Sequence, residues 1–259
     1  MPKTDVENIR EWIEKQGYPL EMFAAQILSN LGFDVSQSAY YTDTETGKHR
    51  EIDVIASVTE TINSKYLKFS LVLECKFSRE KPWLLFASEK NKISFNDLMR
   101  NRAANRPGIT VSSKLAGFPE LEEYGLLARS ARPAYSATQA FTSGKDVTYE
   151  ACLAAATAAV ALVKESNEKQ SLSYYPELIF PVVLLDGKLF EIYLDQSNET
   201  SVAELSSGVL VWRKPILGLP YTILNIVTRD SFETFAEDAK RSFQALFAKC
   251  REYPRILDT

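Results

Sequence analysis

The chain has few of the residues that build disulfide frameworks and histidine-rich metal sites. Its cysteines are Cys75, Cys152 and Cys250, an odd number with no CxxC pair. A disulfide scaffold is therefore not expected, and a reducing, cytoplasmic compartment is the natural location. The single histidine, His49, disfavours zinc sites with several histidine ligands.

Long hydrophobic segments and an excess of positive charge are also missing. The longest apolar run, residues 151–163, is too short to span a bilayer, and residues 1–5 lack a signal-peptide core, so no membrane partner is expected. The net charge of −4 and the pI of about 5.3 do not by themselves indicate a nucleic-acid partner.

The chain does contain enough apolar sequence for a large core. Of its 259 residues, 45% are hydrophobic, and no repeat or low-complexity linker divides it, so we predict one domain over residues 1–259. The positive charge is concentrated between Lys65 and Lys114, where eleven Lys or Arg and four acidic residues give +7 and leave −11 for the remainder. This stretch would form a positive face on an acidic body.

Hydrophobic periodicity and turn residues predict both helices and strands. A turn at residues 45–47 would join the first two strands, and a turn at residues 186–187 would separate two later ones. Pro181 would place its strand at a sheet edge or bulge. Helices are expected at 5–16, 19–31, 146–169 and 230–251, and strands at 33–41, 49–58, 71–77, 178–185, 189–194, 209–213 and 222–228.

Residues 71–77 carry charges where a buried strand normally has none. Side chains alternate between the two faces of a strand, which gives one apolar face and one face with Glu74 and Lys76. Unpaired charges are expensive to bury, so these two side chains are expected to serve a purpose. The apolar face comprises Leu71, Leu73, Cys75 and Phe77.

A second apolar strand carries Asp53 in the same way. The 20 residues between Asp53 and Glu74 suffice for a turn and an antiparallel return, which would set the two strands side by side. Converging carboxylates repel each other unless a cation lies between them, and oxygen ligands suit Mg²⁺ or Mn²⁺. Lys76, one residue past the carbonyl of Cys75, could aim its ammonium group at a water on such a cation.

These residues resemble the PD-(D/E)XK nuclease superfamily, which has the restriction-endonuclease-like fold. The family's first acid falls on Asp53, its acid-x-lysine on Glu74 to Lys76, and its frequent N-terminal helical glutamate on Glu21. Ile52 stands where the family name has proline, which supplies no ligand. The resemblance covers residues 18–78. It implies an α/β fold with a central mixed sheet flanked by helices, and a metal-dependent endonuclease that hydrolyses phosphodiester bonds in DNA.

The resemblance also assigns roles. Asp53 and Glu74 would bind Mg²⁺ or Mn²⁺ with the backbone carbonyl of Cys75, Lys76 would orient the attacking water or stabilise the transition state, and Glu21 would position the metal or its waters. Many such enzymes act in restriction, antiviral defence or repair, and often as homodimers that cut both strands. For Glu21, a purely structural role is equally open, because an acid in the first turn of a helix is favoured by the helix dipole.

Two neighbouring residues have weaker assignments. Glu51 shares a strand face with Asp53 and is either an additional acid of the site or part of a surface ion pair. His49 would point to the same strand face as Asp53, but it lies four residues from Asp53, about 13 Å along the strand. Since it also lies beside the predicted turn, it is expected to have no role in the site. No role is assigned to Gln139, because the spaced tyrosine that accompanies such a glutamine in some relatives is not found.

After Ser78 the pattern becomes irregular, and residues 79–135 are predicted to be an insertion that grips the substrate. Arg79, Lys81 and Trp83 would hold a phosphate backbone or stack on a base. The alternative for Trp83 is packing at the start of a helix. Arg100 and Arg102 would grip phosphates from an exposed loop, unless they belong to a solvated charged face.

Two other functions remain open from the sequence. A non-catalytic nucleic-acid-binding or assembly module on a nuclease fold would use the same positive stretch, although two carboxylates gain nothing beside a polyanion. A ribonuclease would use the same metal chemistry on RNA, since that chemistry is indifferent to the sugar. Binding of Mg²⁺ or Mn²⁺ separates a nuclease from a pure binder.

Overall fold

The computed structural model describes residues 4–14, 16–43, 46–142, 144, 146–169, 175–213 and 221–258. Glu45 of the predicted first turn lies outside these residues. The helices are α1 (Asp5–Ile13), α2 (Tyr18–Asn30), α3 (Phe95–Arg100), α4 (Arg106–Leu115), α5 (Val147–Lys169) and α6 (Phe232–Glu252). The strands are β1 (Asp34–Thr42), β2 (His49–Ile62), β3 (Lys65–Ala87), β4 (Ala103–Ala104), β5 (Ala134–Gln139), β6 (Glu177–Leu194), β7 (Thr200–Leu205), β8 (Ser207–Trp212) and β9 (Thr222–Thr228).

The described strands form one mixed sheet. β1, β2 and β3 are antiparallel neighbours, and β6 runs parallel to β3 and to β9. β5 pairs with the end of β3 and β8 links β5 to β9, so the pairings close a circuit through β3, β5, β8, β9 and β6. The prediction of an α/β fold with a mixed sheet flanked by helices is confirmed.

Helices cover both faces of the sheet. On one face, a large core joins α2 and α6 to the strands, with Leu28, Leu73 and Phe243 among its buried residues. On the other face, the alanine-rich α5 packs on β3 and β6. By length and composition α5 would qualify as a membrane span, but 56% of the qualifying stretch is buried inside the protein.

Two predictions about the strands are wrong, and both errors have a local cause. Residues 186–187 are not a turn, because β6 runs unbroken through them. A Cβ on Gly187 would lie 2.4 Å from the carbonyl oxygen of Ser78, so this glycine is required by the close approach of β3. Pro181 is not in an edge strand. It lies between the part of β6 that pairs with β4 and the part that pairs with β9, where its missing N–H costs no ladder hydrogen bond to either strand.

Residues 79–135 are not an irregular insertion. β3 continues to Ala87, and α3 and α4 follow within the segment. Leu98, Met99 and Leu115 from these helices are buried in the same core as α2 and α6. The segment therefore contributes to the body of the protein.

Candidate active site

Asp53 and Glu74 lie where β2 and β3 separate. The antiparallel register joins Val54 to Leu73, and one further step places Asp53 opposite Glu74. Beyond this point β2 pairs with β1 as far as His49, while β3 pairs with β6. The two strands therefore diverge and leave a gap whose corner is formed by the two carboxylates.

A hydrogen bond from the backbone closes this corner. The N–H of Cys75 donates to Asp53 Oδ2 at 2.6 Å, in place of the strand partner that β2 no longer provides. The N–H and C=O of a strand residue point to the same side, so the Cys75 carbonyl faces the same gap. The thiol of Cys75 points the other way, into the core around Leu71 and Leu73, as the alternation predicted.

Lys76 reaches the same place. Its Nζ lies 2.6 Å from Glu74 Oε1, and the exposed fractions of the two side chains are 30% and 12%. Residues two apart share a strand face, which explains the contact. Since Asp53 binds the residue between Glu74 and Lys76, the structure brings these three predicted side chains together.

The backbone around Asp53 is sharply twisted. Val54 packs in the core of α2 and α6, whereas Ile52, two residues earlier, packs against α5. Residues two apart normally share a face, so β2 rotates about its axis at Asp53. Opposite Asp53 in the β1 register is Ser38, whose φ of 52° is left-handed and uncommon for a residue other than glycine. Such strain often re-aims a side chain beside a functional site.

Glu21 joins the group from α2. The helix begins at Tyr18 with a proline in its first turn, and Glu21 lies in that turn, half-buried. Burial, followed by repulsion from Asp53 and Glu51, raises the pKa of Glu21 to about 6. An acid that only capped the helix dipole would show a lowered pKa, so burial and the neighbouring acids together outweigh the dipole.

The site concentrates negative charge in a poorly solvated place. Burial, then repulsion from Asp53, raises the pKa of Glu74 to about 7. Burial also raises the pKa of Asp53, against the opposing effects of the Cys75 N–H and of Lys76. Burial alone would lower the pKa of Lys76, but attraction to Glu74 and Asp53 outweighs it and raises the pKa. Lys76 therefore remains an ammonium ion and acts as a hydrogen-bond donor and a charge.

The donor set fits a hard divalent cation. It offers two converging carboxylates, with Glu21 nearby, and a backbone carbonyl, all of them oxygen ligands of the kind that Mg²⁺ and Mn²⁺ prefer. Burial, together with repulsion between the acids, raises the pKa values of these carboxyl groups, and a bound cation would oppose both effects. Within the described part of the chain, no three His, Cys, Asp or Glu side chains form a metal-ligating group by themselves, so water or substrate would have to complete the coordination.

Three further residues, Tyr41, Glu51 and His49, lie near the margins of the site or were candidates for it. Tyr41, which the sequence did not single out, is buried, and burial raises the pKa of its hydroxyl to about 12 beside Arg50, Asp43 and Glu74. Glu51 is exposed and raises the pKa values of Glu21 and Asp53, so it borders the site. His49 is exposed and bonds Thr42 at the hairpin end.

The predicted substrate-gripping residues are only partly accessible. Trp83 is fully buried and cannot stack on a base, because β3 continues and carries it into the core with α5. Arg102 is 3% exposed and stacks on the Phe180 ring, so it cannot grip a phosphate. Both predictions are wrong. Arg100 and Lys81 remain predictions.

Much of the predicted positive face is neutralised. Arg79 is exposed but makes a bidentate ion pair with Asp186, at 2.9 Å for each bond. Further contacts within the chain engage Lys65, Lys68 and Lys114. With Lys76, four of the eleven cations of this stretch pair with acids, while Lys114 bonds backbone carbonyls and Arg102 is buried, so the net charge of +7 overstates what a polyanion would meet.

A cavity of about 800 Å³ lies elsewhere, between the ends of β3 and β6 and the start of β5. Arg132, which lines the cavity, is already neutralised, because its Nε and Nη2 both donate to Oε2 of the buried Glu191 and its guanidinium stacks on the Tyr193 ring. At the corner of Asp53 and Glu74, Lys76 compensates the acids only in part, and the pKa values of both carboxyl groups are raised, which is why we place the candidate active site there.

The chain was compared with models of protein families, with curated proteins and with solved structures, and it matches none of them.

Replacing Arg102 by methionine is expected to raise the free energy of unfolding by about 1 kcal/mol, since a buried guanidinium gives way to an apolar side chain of similar length. Affinity for DNA should not change. Arg100→Met, at an exposed position, is the matched control and should alter stability by less than about 0.5 kcal/mol. Denaturant unfolding and DNA titration measure both effects, and a loss of DNA affinity specific to Arg102→Met would contradict the burial.

The stability of the metal-free protein should fall as the pH rises from 5 to 8. Glu21 and Glu74 have folded-state pKa values of about 6 and about 7, above their usual value of 4.5, so folding favours their protonated forms. That contribution is complete below pH 4.5 and is lost as the pH rises through 6 and 7. Mg²⁺ needs ionised ligands, so it should raise the melting temperature more at pH 8 than at pH 5. An equal Mg²⁺ effect at both pH values would contradict this assignment.

Proposed function

We propose that this protein is a Mg²⁺- or Mn²⁺-dependent endonuclease of the PD-(D/E)XK type that hydrolyses phosphodiester bonds in DNA. The observation that carries the proposal is the convergence of Asp53, Glu74 and Lys76 at the corner where β2 and β3 separate. Buried carboxylates that are only partly compensated cost stability, and a cation-dependent reaction gives them a reason to be there.

The arrangement of the chain supports the same proposal. α2, which carries Glu21, precedes the β1–β2 hairpin, and β3 follows with the acid-x-lysine pair. This is the order of helix, hairpin and strand that the restriction-endonuclease-like core requires. The parallel pairing of β3 with β6 after the crossover helix α5 completes a mixed sheet with helices on both faces.

Each residue of the candidate active site would have its own role in the proposed hydrolysis. Asp53, Glu74 and the carbonyl of Cys75 would hold the cation, which supplies a more acidic water and neutralises charge on the scissile phosphate. Lys76 donates hydrogen bonds from an ammonium that stays charged, and therefore orients the nucleophile and stabilises negative charge in the transition state. Glu21, with a pKa of about 6, accepts hydrogen bonds or a proton at the rim.

In the metal-free site, the Lys76 ammonium lies where the proposed divalent cation would contact Glu74. This ammonium lies against Glu74 at hydrogen-bond distance and partly compensates the acids. Binding of a divalent cation would release this contact and free Lys76 to face the substrate. The lysine thus both stabilises the empty site and becomes available when the site is loaded.

A plasmid-nicking assay tests the proposal. Supercoiled DNA should become nicked or linear with Mg²⁺ or Mn²⁺ and remain intact with EDTA. Single-stranded RNA in the same buffers tests the ribonuclease alternative. If the protein binds DNA but calorimetry detects no Mg²⁺ or Mn²⁺ binding, with or without DNA, the non-catalytic binding module is the correct function. A homodimer belongs to the proposal as an implication of the resemblance, and a cytoplasmic location belongs to it as an expectation from the cysteine content.

A further inference from the structure

The turn between β5 and α5 presents Phe141 to solvent. Its side chain is 86% exposed, the largest fraction among the exposed large hydrophobic residues of the described chain. Its φ of 56° lies in the left-handed region, which bulky side chains rarely adopt. One residue therefore combines an unburied phenyl ring with an unfavourable backbone conformation. Residues in such strained conformations cluster at active sites and ligand contacts.

Hydrogen bonds at the base of this turn hold it in place. The N–H of Ala140 donates to the carbonyl oxygen of Pro82 at 2.9 Å. On the other side of the turn, the Thr138 hydroxyl donates to Oδ2 of Asp146 at 3.0 Å, and Oδ1 of Asp146 accepts from two N–H groups in the first turn of α5. The phenyl ring of Phe141 is thus presented by a turn that is bonded to β3 and to α5.

The same turn is bonded to the strand that carries the candidate active site. Gln139 Nε2 donates to Ser78 Oγ at 2.9 Å, and Ser78 shares a face of β3 with Glu74 and Lys76. Because β5 runs antiparallel to β3, the chain beyond Gln139 heads back toward Lys76. Two residues of β3, one side-chain bridge and two residues of the turn join Lys76 to Phe141. Their separation is therefore at most about 25 Å, or about seven base pairs of DNA.

β3 also bulges at this level. Its five steps from Ser78 to Trp83 lie against only two steps of β6, from residue 187 to residue 189, so three residues of β3 are extra. Bulges are frequent beside active sites, where they re-aim side chains. Arg79 and Glu80, in the bulge, are exposed, and the bulge ends where Ala140 bonds β3. The bulge and the turn with Phe141 thus form one exposed edge beside the site.

We propose that Phe141 inserts as a wedge between neighbouring base pairs of duplex DNA held at the candidate active site. Apolar side chains used in this way unstack a base step and kink the duplex. A phenyl ring has no hydrogen-bonding group, so it reads no base edge and favours steps that unstack easily, such as TA steps and mismatched pairs. The inference rests on the proposed function for the place where DNA binds, and it adds the form of DNA that the site takes.

The fluorescence of 2-aminopurine tests the inference on the full chain, because this base brightens when it is unstacked. Duplexes of about 20 base pairs, roughly 70 Å long, carry it at a TA step or beside one mismatch. Two conditions exclude cleavage: the wild type in EDTA, and Lys76→Met with Mn²⁺, where the cation neutralises the acids. With Phe141 present, the fluorescence should rise at least about twofold, and the mismatched duplex should bind about tenfold more tightly than the matched one.

Phe141→Asn, made in both backgrounds, removes the ring and suits the left-handed conformation, which asparagine adopts more readily. It should lose the rise in fluorescence and bind matched and mismatched duplexes equally, with a melting temperature equal to or above that of its parent. Phe141→Trp keeps an aromatic ring and should retain both effects. Tyr66→Ser, at an exposed aromatic residue near the start of β3, is the matched control and should behave as its parent does.

The inference is overturned if Phe141→Asn still brightens 2-aminopurine, or if it melts several degrees lower because the ring packs in the fold. Tighter binding of the single strand than of the mismatched duplex would also overturn it, since Phe141 would then stack on unpaired bases. Plasmid nicking separates it from the proposed function. A protein that unstacks DNA through Phe141 but never nicks it supports the wedge and overturns the nuclease, and nicking without unstacking does the reverse. No DNA binding in either condition overturns both.

Discussion

Asp53→Asn is expected to abolish metal-dependent cleavage of DNA, with a rate at least about 10³-fold below wild type. The Asp53 carboxylate connects the two strands of the site. It accepts a hydrogen bond from the Cys75 N–H and faces Glu74 across the diverging strands. An amide keeps the size of the side chain and removes the charge that holds a cation. Rates measured on supercoiled plasmid under single-turnover conditions check the effect.

The control for this variant is Asp34→Asn on the neighbouring strand. Asp34 is exposed at the start of β1 and should keep wild-type activity. The melting temperature of Asp53→Asn should stay within a few degrees of wild type, since relief of carboxylate repulsion compensates for a weaker bond to Cys75. If Asp53→Asn cleaves at the wild-type rate, the site lies elsewhere.

Lys76→Met is expected to lower the cleavage rate by a similar factor while preserving metal binding. The ammonium contributes to the transition state, so its loss removes catalysis. It also competes with the cation for Glu74, where it lies at 2.6 Å, so its loss should leave Mn²⁺ affinity equal to or higher than that of wild type. Calorimetric titration with Mn²⁺ and the plasmid assay measure the two properties separately.

The comparison of the two variants gives the sharper test. Asp53→Asn should lose both metal binding and cleavage, whereas Lys76→Met should lose cleavage alone. A Lys76→Met protein that no longer binds Mn²⁺ would show that lysine holds the site together rather than acting on the substrate. Lys188→Met, at an exposed position of β6, is the matched control for the charge and should retain most activity.

The sequence predicted the site better than its surroundings. Glu74 and Lys76 stood out because a buried strand rarely carries charge, and that argument needs only the alternation of side chains along β3. Asp53 followed from the same rule and from the length of the intervening turn. The register of β2 and β3 then brought them together as expected, because an apolar face buried on one side fixes strand register.

The errors came from features that depend on the tertiary fold. Trp83 was placed in a loop because charges and a proline follow Ser78, but pairing with β5 and β6 extends β3 to Ala87. Gly187 was taken for a turn because the sequence cannot reveal the close approach of Ser78. Tyr41 escaped notice since a tyrosine in a strand carries no sign of whether its hydroxyl will be buried near an acid.

The proposed activity requires that a divalent cation binds between Asp53 and Glu74. A crystal grown with Mn²⁺ and measured at a wavelength where manganese scatters anomalously tests it directly. We predict an anomalous peak about 2.0–2.2 Å from carboxylate oxygens of both residues and from the carbonyl oxygen of Cys75, with Lys76 displaced from Glu74. No peak there at millimolar Mn²⁺, with the Lys76 to Glu74 contact intact, would contradict it.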